Sequence, residues 1–150
     1  DAGALRLLAH ETFSKITLHS QTVLTPHPGE AAEMLQITAK EVQKNRIKSA
    51  KELQKKYGCI IVLEGSGTVV CDKNNVYVCS SGGPELAVAG SGDVLSGVIG
   101  SLMAQGLPPI DASITGVGIH AQAGEEFAKD VGKIGLAAGE LIPYIRKFLN

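Results

Sequence analysis

Aromatic side chains are scarce in this chain of 150 residues: three Phe, three Tyr and no Trp. No apolar run approaches the ~20 residues of a membrane helix, and the longest strand-like run is Cys59 to Leu63. The three cysteines, Cys59, Cys71 and Cys79, are odd in number and contain no C-x-x-C pair. That argues against a disulfide framework or a zinc site, and all three read as reduced thiols. Basic residues are missing over a long stretch. Between Lys73 and Lys129 there is no Lys or Arg, while Glu85, Asp93, Asp111, Glu125 and Glu126 are all acidic. An anion bound in that stretch must be held by backbone N–H groups, a helix dipole or a metal ion. A net charge of −1 gives no reason to expect nucleic acid or an anionic membrane as partner. Glycine is also sparse at first: only Gly3 and Gly29 precede residue 58.

What the chain does have is an excess of glycine in its second part. Sixteen of the 18 glycines fall in residues 58–150, with no Gly-X-Y period, so collagen is excluded. The apolar fraction of 44% and charged fraction of 19% suit a globular domain. Chain length favours one domain. The first residue is Asp1, with no signal-peptide pattern, so the sequence reads as the interior of a longer protein or a processed one.

Helical and strand signals alternate. Leu5 to Ala9 reads as a short helix and Gln21 to Thr25 as a short strand stopped by Pro26 and Pro28. Glu30 to Leu35 reads as helical. Thr38 to Glu41 is a capping-box pattern that opens a longer helix, with Val42, Ala50, Leu53 and Tyr57 inward and Gly58 as its stop. Lys44, Arg46, Lys48, Lys51, Lys55 and Lys56 read as its solvated face. Cys59 to Leu63 is a buried strand. Thr68 to Cys71 and Val76 to Cys79 form a hairpin with a two-residue loop at 73–74, which sets Cys71 opposite Val76. Helices follow from about Asp93 to Gln105, from a cap at Asp111 to about Asp130, and from about Ala138 to Phe148. This order argues an α/β architecture.

Three segments carry chemistry. In Ala89 to Leu95, the glycines around Gly90, Ser91 and Gly92 let backbone N–H groups turn inward at a helix start and form an anion site. Asp93 beside it suits a base better than a phosphate binder, unless it is only a favourable first-turn acid. Glu64, Gly65, Ser66, Gly67 and Thr68 follow a buried strand, where ligands of α/β sheets bind, or else are a plain connection. His27, between Pro26 and Pro28, is either a buried structural residue or a ligand contact. His120 reads as a packing histidine, and His10 and His19 as surface residues. Gly97, Gly100, Gly116, Gly118 and Gly124 lie inside helices, where close helix packing is the reason to expect them.

Taken in order, these segments resemble the ADP/ATP-dependent NAD(P)H-hydrate dehydratase family of the ribokinase-like superfamily. Thr-Pro-His-Pro-Gly-Glu stands intact at Thr25 to Glu30. The family's Asp-Ala-Asp-Ala-Leu appears as Asp1 to Leu5 with Gly3 as its third residue. Its Leu-Lys-Gly-x-x-Thr appears as Leu63 to Thr68 with Glu64 in place of Lys. Its Gly-x-Gly-Asp-Val-Leu is Gly90 to Leu95. Its Gly-Asn-x-Gly-Met-Ala reads Gly82 to Ala87, with Gly83 for Asn and Glu85 for Gly. Gly135 to Ile142 looks like the family's closing helix start.

The resemblance implies a ribokinase-like α/β fold with a central, mostly parallel sheet flanked by helices. Residues 1–150 would be the C-terminal portion of one such domain, with its N-terminal part missing. It implies nucleotide-dependent dehydration of NADHX or NADPHX, with ADP or ATP as co-substrate and Mg2+ on the phosphates. Asp93 would be the base. Gly90, Ser91 and Gly92 would stabilise phosphoryl charge through their N–H groups. Glu64, Gly65, Ser66, Gly67 and Thr68 would contact the nucleotide and His27 the hydrate, with no protein metal ligand. A homo-oligomer, a fused or cooperating NAD(P)H-hydrate epimerase and a cytoplasmic location are further implications. Two alternatives stand beside it: a small-molecule kinase of the same superfamily, and a nucleotide-binding homologue without turnover in which Glu64 and Glu85 have spoiled the site. Replacing Lys by Glu64 changes the local charge by two. Glu64→Lys is therefore expected to tighten adenine-nucleotide binding in a calorimetric titration, and unchanged affinity would mean that Glu64 faces away from phosphate.

Overall fold

The computed structural model describes every residue except 14, 15 and 17. The chain divides into two compact units, Asp1–Val78 and Cys79–Asn150. The first unit holds α1 (Gly3–Ala9), β1 (Val23–Leu24), α2 (Pro28–Leu35), α3 (Ala39–Lys44), α4 (Arg46–Tyr57), β2 (Ile60–Leu63), β3 (Val69–Cys71) and β4 (Val76–Val78). The second holds α5 (Ser91–Ala104), α6 (Pro109–Asp130) and α7 (Leu141–Phe148), with 3-10 turns at Pro84–Leu86 and Ala138–Glu140.

The sheet order is β1-β2-β3-β4. β1 runs parallel to β2, with Val23 opposite Ile60. Both other pairings are antiparallel. The sheet of the described residues is thus mixed, and the expected mostly parallel character belongs to β1–β2 alone. The reason is connection length. Helices α2 to α4 supply the crossover that parallel neighbours need, whereas the tight turns after β2 and β3 can only reverse the chain. The hairpin register places Cys71 opposite Val76, as the two-residue loop requires.

The buried face of the first unit is built from α2, α3, α4 and β2. Met34, Val42, Ala50, Leu53, Ile61 and Leu63 are fully buried and belong to one apolar cluster. The capping box at Thr38 forms as the sequence implies: Glu41 N–H donates to Thr38 Oγ1, and Thr38 N–H donates to Glu41 Oε2. The single long helix expected after it is instead two. Asn45, at φ −147° and ψ 71°, leaves the helical region, and its side chain accepts from Lys48 N–H to cap α4 anew. Asn competes for backbone N–H groups in this way because its short amide reaches them. Gly58 ends α4 in the left-handed conformation at φ 68°.

In the second unit, Ala123, Phe127, Leu136, Leu141 and Ile145 form the buried cluster. Phe127 and Tyr144 meet edge to face at 5.9 Å. Pro108, not Asp111, occupies the cap position of α6, with Asp111 in its first turn. The intrahelical glycines separate into two kinds. A Cβ on Gly116 would lie 2.8 Å from Ile99 Cγ1, and one on Gly124 would lie 2.7 Å from Leu86 Cγ, so close packing explains both. At Gly97, Gly100 and Gly118 an added Cβ would meet nothing within 4 Å. Close packing does not account for those three. Among the described residues no helix is long and apolar enough to cross a membrane.

Candidate functional site

His27 is the N-cap of α2. Its Nδ1 accepts from Gly29 N–H at 2.9 Å and Glu30 N–H at 3.3 Å. Glu30 Oε2 in turn accepts from His27 N–H at 3.0 Å. A backbone N–H can only donate, so the neutral ring carries its proton on Nε2. The imidazole side chain is 54% exposed, which excludes the buried alternative, and its Nε2 lies 3.7 Å from Glu30 Oε2. Gly29 is needed for this pose, because a Cβ there would sit 2.7 Å from His27 Cε1.

The 64–68 loop lies directly beside the His27 segment. Glu64 N–H donates to Pro26 O at 2.9 Å, which continues the β1–β2 pairing past both strand ends. Two of the segments marked by sequence thus leave the carboxyl ends of parallel neighbours, as ligand loops of α/β sheets do. Gly65 and Gly67 both have positive φ, 132° and 66°. Thr68 Oγ1 donates to Gly65 O across the loop at 3.1 Å. Glu64 itself is half-buried, while Gly65 and Ser66 are exposed.

Sequence reasoning missed Arg46. It is not part of a solvated face: Nη2 lies 3.0 Å from Leu63 O, 3.1 Å from Glu64 O and 3.3 Å from Gly67 O, all accepting. Nη1 donates to Gln43 Oε1 at 2.8 Å. Burial pulls the guanidinium pKa down from its ordinary value, yet an Arg stays charged at any physiological pH. The only signal in the sequence was Asn45, a cap-forming residue that resets the helix so that Arg46 begins it.

The second unit carries the other glycine segment. Gly90 caps α5 at φ 86°. The first bond of the helix ladder runs from Val94 N–H to Gly90 O, and Ser91 N–H donates to Val88 O. The N–H groups of Gly92 and Asp93 therefore remain outside the ladder, at the positive end of the helix dipole. Ser91 N–H, expected to face an anion, is already used. Asp93 is exposed and lies on the first turn. His120 holds this turn in place: its Nε2 is 3.1 Å from both Ser91 O and Ser91 Oγ. The packing role read from sequence fits this buried, satisfied ring. Burial lowers its pKa, and the hydrogen bond to Ser91 opposes that shift.

Gly83 and Glu85 form one physical unit. Glu85 is buried, and a Cβ on Gly83 would lie 2.5 Å from its Oε2. A side chain at position 83 would require the Glu85 carboxylate to move. Together they border a cleft of about 340 Å³ with Glu125, Lys129 and Lys133. The cysteines are free, and burial pushes the Cys59 thiol up to about 11, so it is not a nucleophile. Among the described residues no group of three or more His, Cys, Asp or Glu could hold a metal ion.

Similar architectures are ribokinase-like. A ribokinase-like superfamily protein of Enterococcus faecalis matches 97% of this chain and 50% of its own with a TM-score of 0.80 and 26% identity. The fold with its mixed sheet and flanking helices therefore defines a ribokinase-like protein. A family model described as NAD(P)H-hydrate dehydratase matches residues 1–147, and the chain belongs to that family. A bifunctional NAD(P)H-hydrate repair enzyme of Vibrio cholerae is 41% identical over the whole chain, which covers 30% of that protein. An ADP-dependent (S)-NAD(P)H-hydrate dehydratase of Neisseria meningitidis is 38% identical, with 52% of its length covered. The ADP/ATP-dependent NAD(P)H-hydrate dehydratase of Bacillus subtilis, co-crystallised with ATP/Mg2+, superposes with a TM-score of 0.84 at 29% identity, over 91% of this chain and 52% of its own. The chain thus spans about a third to a half of these relatives.

The depressed His120 pKa makes stability pH-dependent. The unfolded ring protonates near its ordinary value of 6.5 and the folded ring only below it. The stabilisation is full above that value and is lost as pH falls through the folded pKa. Melting temperature should therefore fall on acidification from about pH 7.5 to about pH 5, with a shallower slope in His120→Gln; parallel slopes would remove His120 as the cause. Gly83→Asn alone should cost about 1–3 kcal/mol by overpacking, measured by denaturant unfolding. Adding Glu85→Gly should recover most of that loss.

Proposed function

We propose that residues 1–150 are the C-terminal portion of a single ribokinase-like domain whose full protein converts NADHX or NADPHX back to the reduced cofactor at the expense of ADP or ATP. The observation that carries the reading is the Glu64 N–H to Pro26 O bond, which sets the nucleotide loop and the His27 segment side by side at the ends of β1 and β2. Family membership over residues 1–147 supports the choice of reaction.

The residues divide the work as follows. Glu64, Gly65, Ser66, Gly67 and Thr68 contact the adenine nucleotide. His27 offers its Nε2–H to the hydrate. Asp93 takes the proton of the added hydroxyl as its oxygen attacks the terminal phosphorus. The N–H groups at the α5 N-terminus, those of Gly90 and Gly92 with Asp93, meet the negative charge that grows on the transferred group. Ser91 contributes by fixing that turn through His120. Hydroxide is a poor leaving group and phosphate a good one. In the second step phosphate departs with the C–O electron pair, the neighbouring ring carbon loses a proton, and the ring double bond returns.

Magnesium ions reach such sites on nucleotide phosphates, held by few protein oxygens. A chain whose described residues contain no three-ligand cluster fits an ion carried by the nucleotide, with no residue here assigned to it. Bound there, the ion would neutralise phosphate charge in a region without Lys or Arg from 74 to 128. A cytoplasmic, homo-oligomeric enzyme, fused to or working with an NAD(P)H-hydrate epimerase, completes the reading. The bifunctional relatives support the epimerase pairing.

The test uses the full-length protein that carries this chain. NADH hydrate is mixed with Mg2+ and either ADP or ATP, and NADH absorbance is followed. Nucleotide-dependent recovery is expected, with Asp93→Asn slower by about 10²–10⁴-fold. A stable phosphorylated product would make the protein a kinase. Nucleotide binding without turnover would make it a binding homologue.

A further inference from the structure

The 64–68 loop contains no Lys or Arg, and its second expected position carries the carboxylate of Glu64. A cation nevertheless reaches it, from the first residue of α4. Arg46 Nη2 gathers the carbonyl oxygens of Leu63, Glu64 and Gly67, which lie 17 to 21 residues away in sequence. Its Nη1 lies 2.9 Å from where a Cβ on Gly65 would stand, so the guanidinium lies against the loop backbone itself. Only glycine permits that approach at φ 132°.

The consequence follows from peptide planarity. None of the described peptide bonds is cis. In a trans peptide the N–H points opposite to the carbonyl of the same unit. With Glu64 O turned to Arg46, Gly65 N–H points away from the guanidinium. With Gly67 O turned the same way, Thr68 N–H also points away. Gly65 O is drawn to Thr68 Oγ1, which turns Ser66 N–H outward from that bond. Arg46 thus holds the Glu64 and Gly67 carbonyls on one cation, and the N–H groups of Gly65 and Thr68 lie on the opposite side of those two peptides. A loop held in this way presents donors to an anionic ligand.

We infer that Arg46 is the positioning residue of the nucleotide loop, turning its N–H donors toward the anionic groups of an adenine nucleotide. The inference deepens the functional reading above and rests on it. Arg46 touches no substrate; it acts through the backbone of Glu64, Gly65 and Gly67. Lysine is a poor replacement, because the ammonium is a point charge on a flexible stem, whereas the planar guanidinium presents a fixed fork of donors.

The test compares Arg46→Met, Arg46→Lys and Gln43→Ala in the full-length protein. ADP binding is titrated calorimetrically, and kcat and both KM values are measured with NADH hydrate. Arg46→Met is expected to weaken ADP binding about tenfold or more, with kcat at saturating ADP and the KM for hydrate little changed. Arg46→Lys should recover part of the affinity. Gln43→Ala, an exposed change that removes only the partner of Nη1, should weaken ADP binding by a smaller factor in the same direction. A folded Arg46→Met that binds ADP like the wild type overturns the inference. So does a loss confined to kcat. Where Arg46→Met fails to fold, unchanged ADP affinity in Gln43→Ala and in Arg46→Lys overturns it. A wild-type protein that binds no ADP removes the functional reading itself and this inference with it.

Discussion

The parallel pairing of β1 with β2 is the constraint on which the first unit depends. Parallel neighbours cannot be joined by a turn, so helices α2, α3 and α4 must intervene between Leu24 and Ile60. Those helices then bury the face of β2 through Met34, Val42, Ala50 and Leu53. The same pairing brings the carboxyl ends of both strands to one edge of the sheet. The bond from Glu64 N–H to Pro26 O is its last rung, and beyond that rung lie the His27 segment and the 64–68 loop. Core and site therefore share one cause.

Each of those segments is held by contacts that leave selected donors free. His27 commits Nδ1 to the α2 N-terminus and keeps its Nε2–H. Arg46 commits the carbonyls of Leu63, Glu64 and Gly67 and turns the N–H groups of Gly65 and Thr68 away from itself. In the second unit His120 holds Ser91, while the first turn of α5 keeps the N–H groups of Gly92 and Asp93. A helix N-terminus and a loop whose carbonyls are held on one side are both sources of fixed dipoles. This design suits a chain whose glycine segments lack basic side chains of their own.

Much of this was legible from local patterns. Thr38 and Glu41 announced a capping box because the motif closes within four residues. Cys59 to Leu63 announced a buried strand because it is apolar without alternation. Thr25 to Glu30 and Gly90 to Leu95 announced their family because several motifs recur in one order. The failures lay in side-chain geometry, which a residue pattern does not encode even over two or three positions. The helix break at Asn45 came from a side chain that reached back to the backbone, where a continuous apolar pattern suggested one helix. The fold of Glu85 over Gly83 turned two apparently separate departures from the family pattern into one steric unit. Gly97, Gly100 and Gly118 showed that glycine in a helix does not by itself mark a close contact.

The amino-acid sequence determined the element types, the hairpin register at Cys71 and Val76, and the family. Each rests on residues close in the chain or on motif order. Tertiary structure alone decided which donors the candidate site segments keep. The tautomer of His27 follows from the backbone it caps, and the pairing of Ser91 with His120 joins positions 29 residues apart. The excess of glycine after residue 58 looked like a loop without a counter-charge. At the 64–68 loop the fold brought that charge from Arg46, which approaches so closely that a Cβ on Gly65 would lie 2.9 Å from its Nη1.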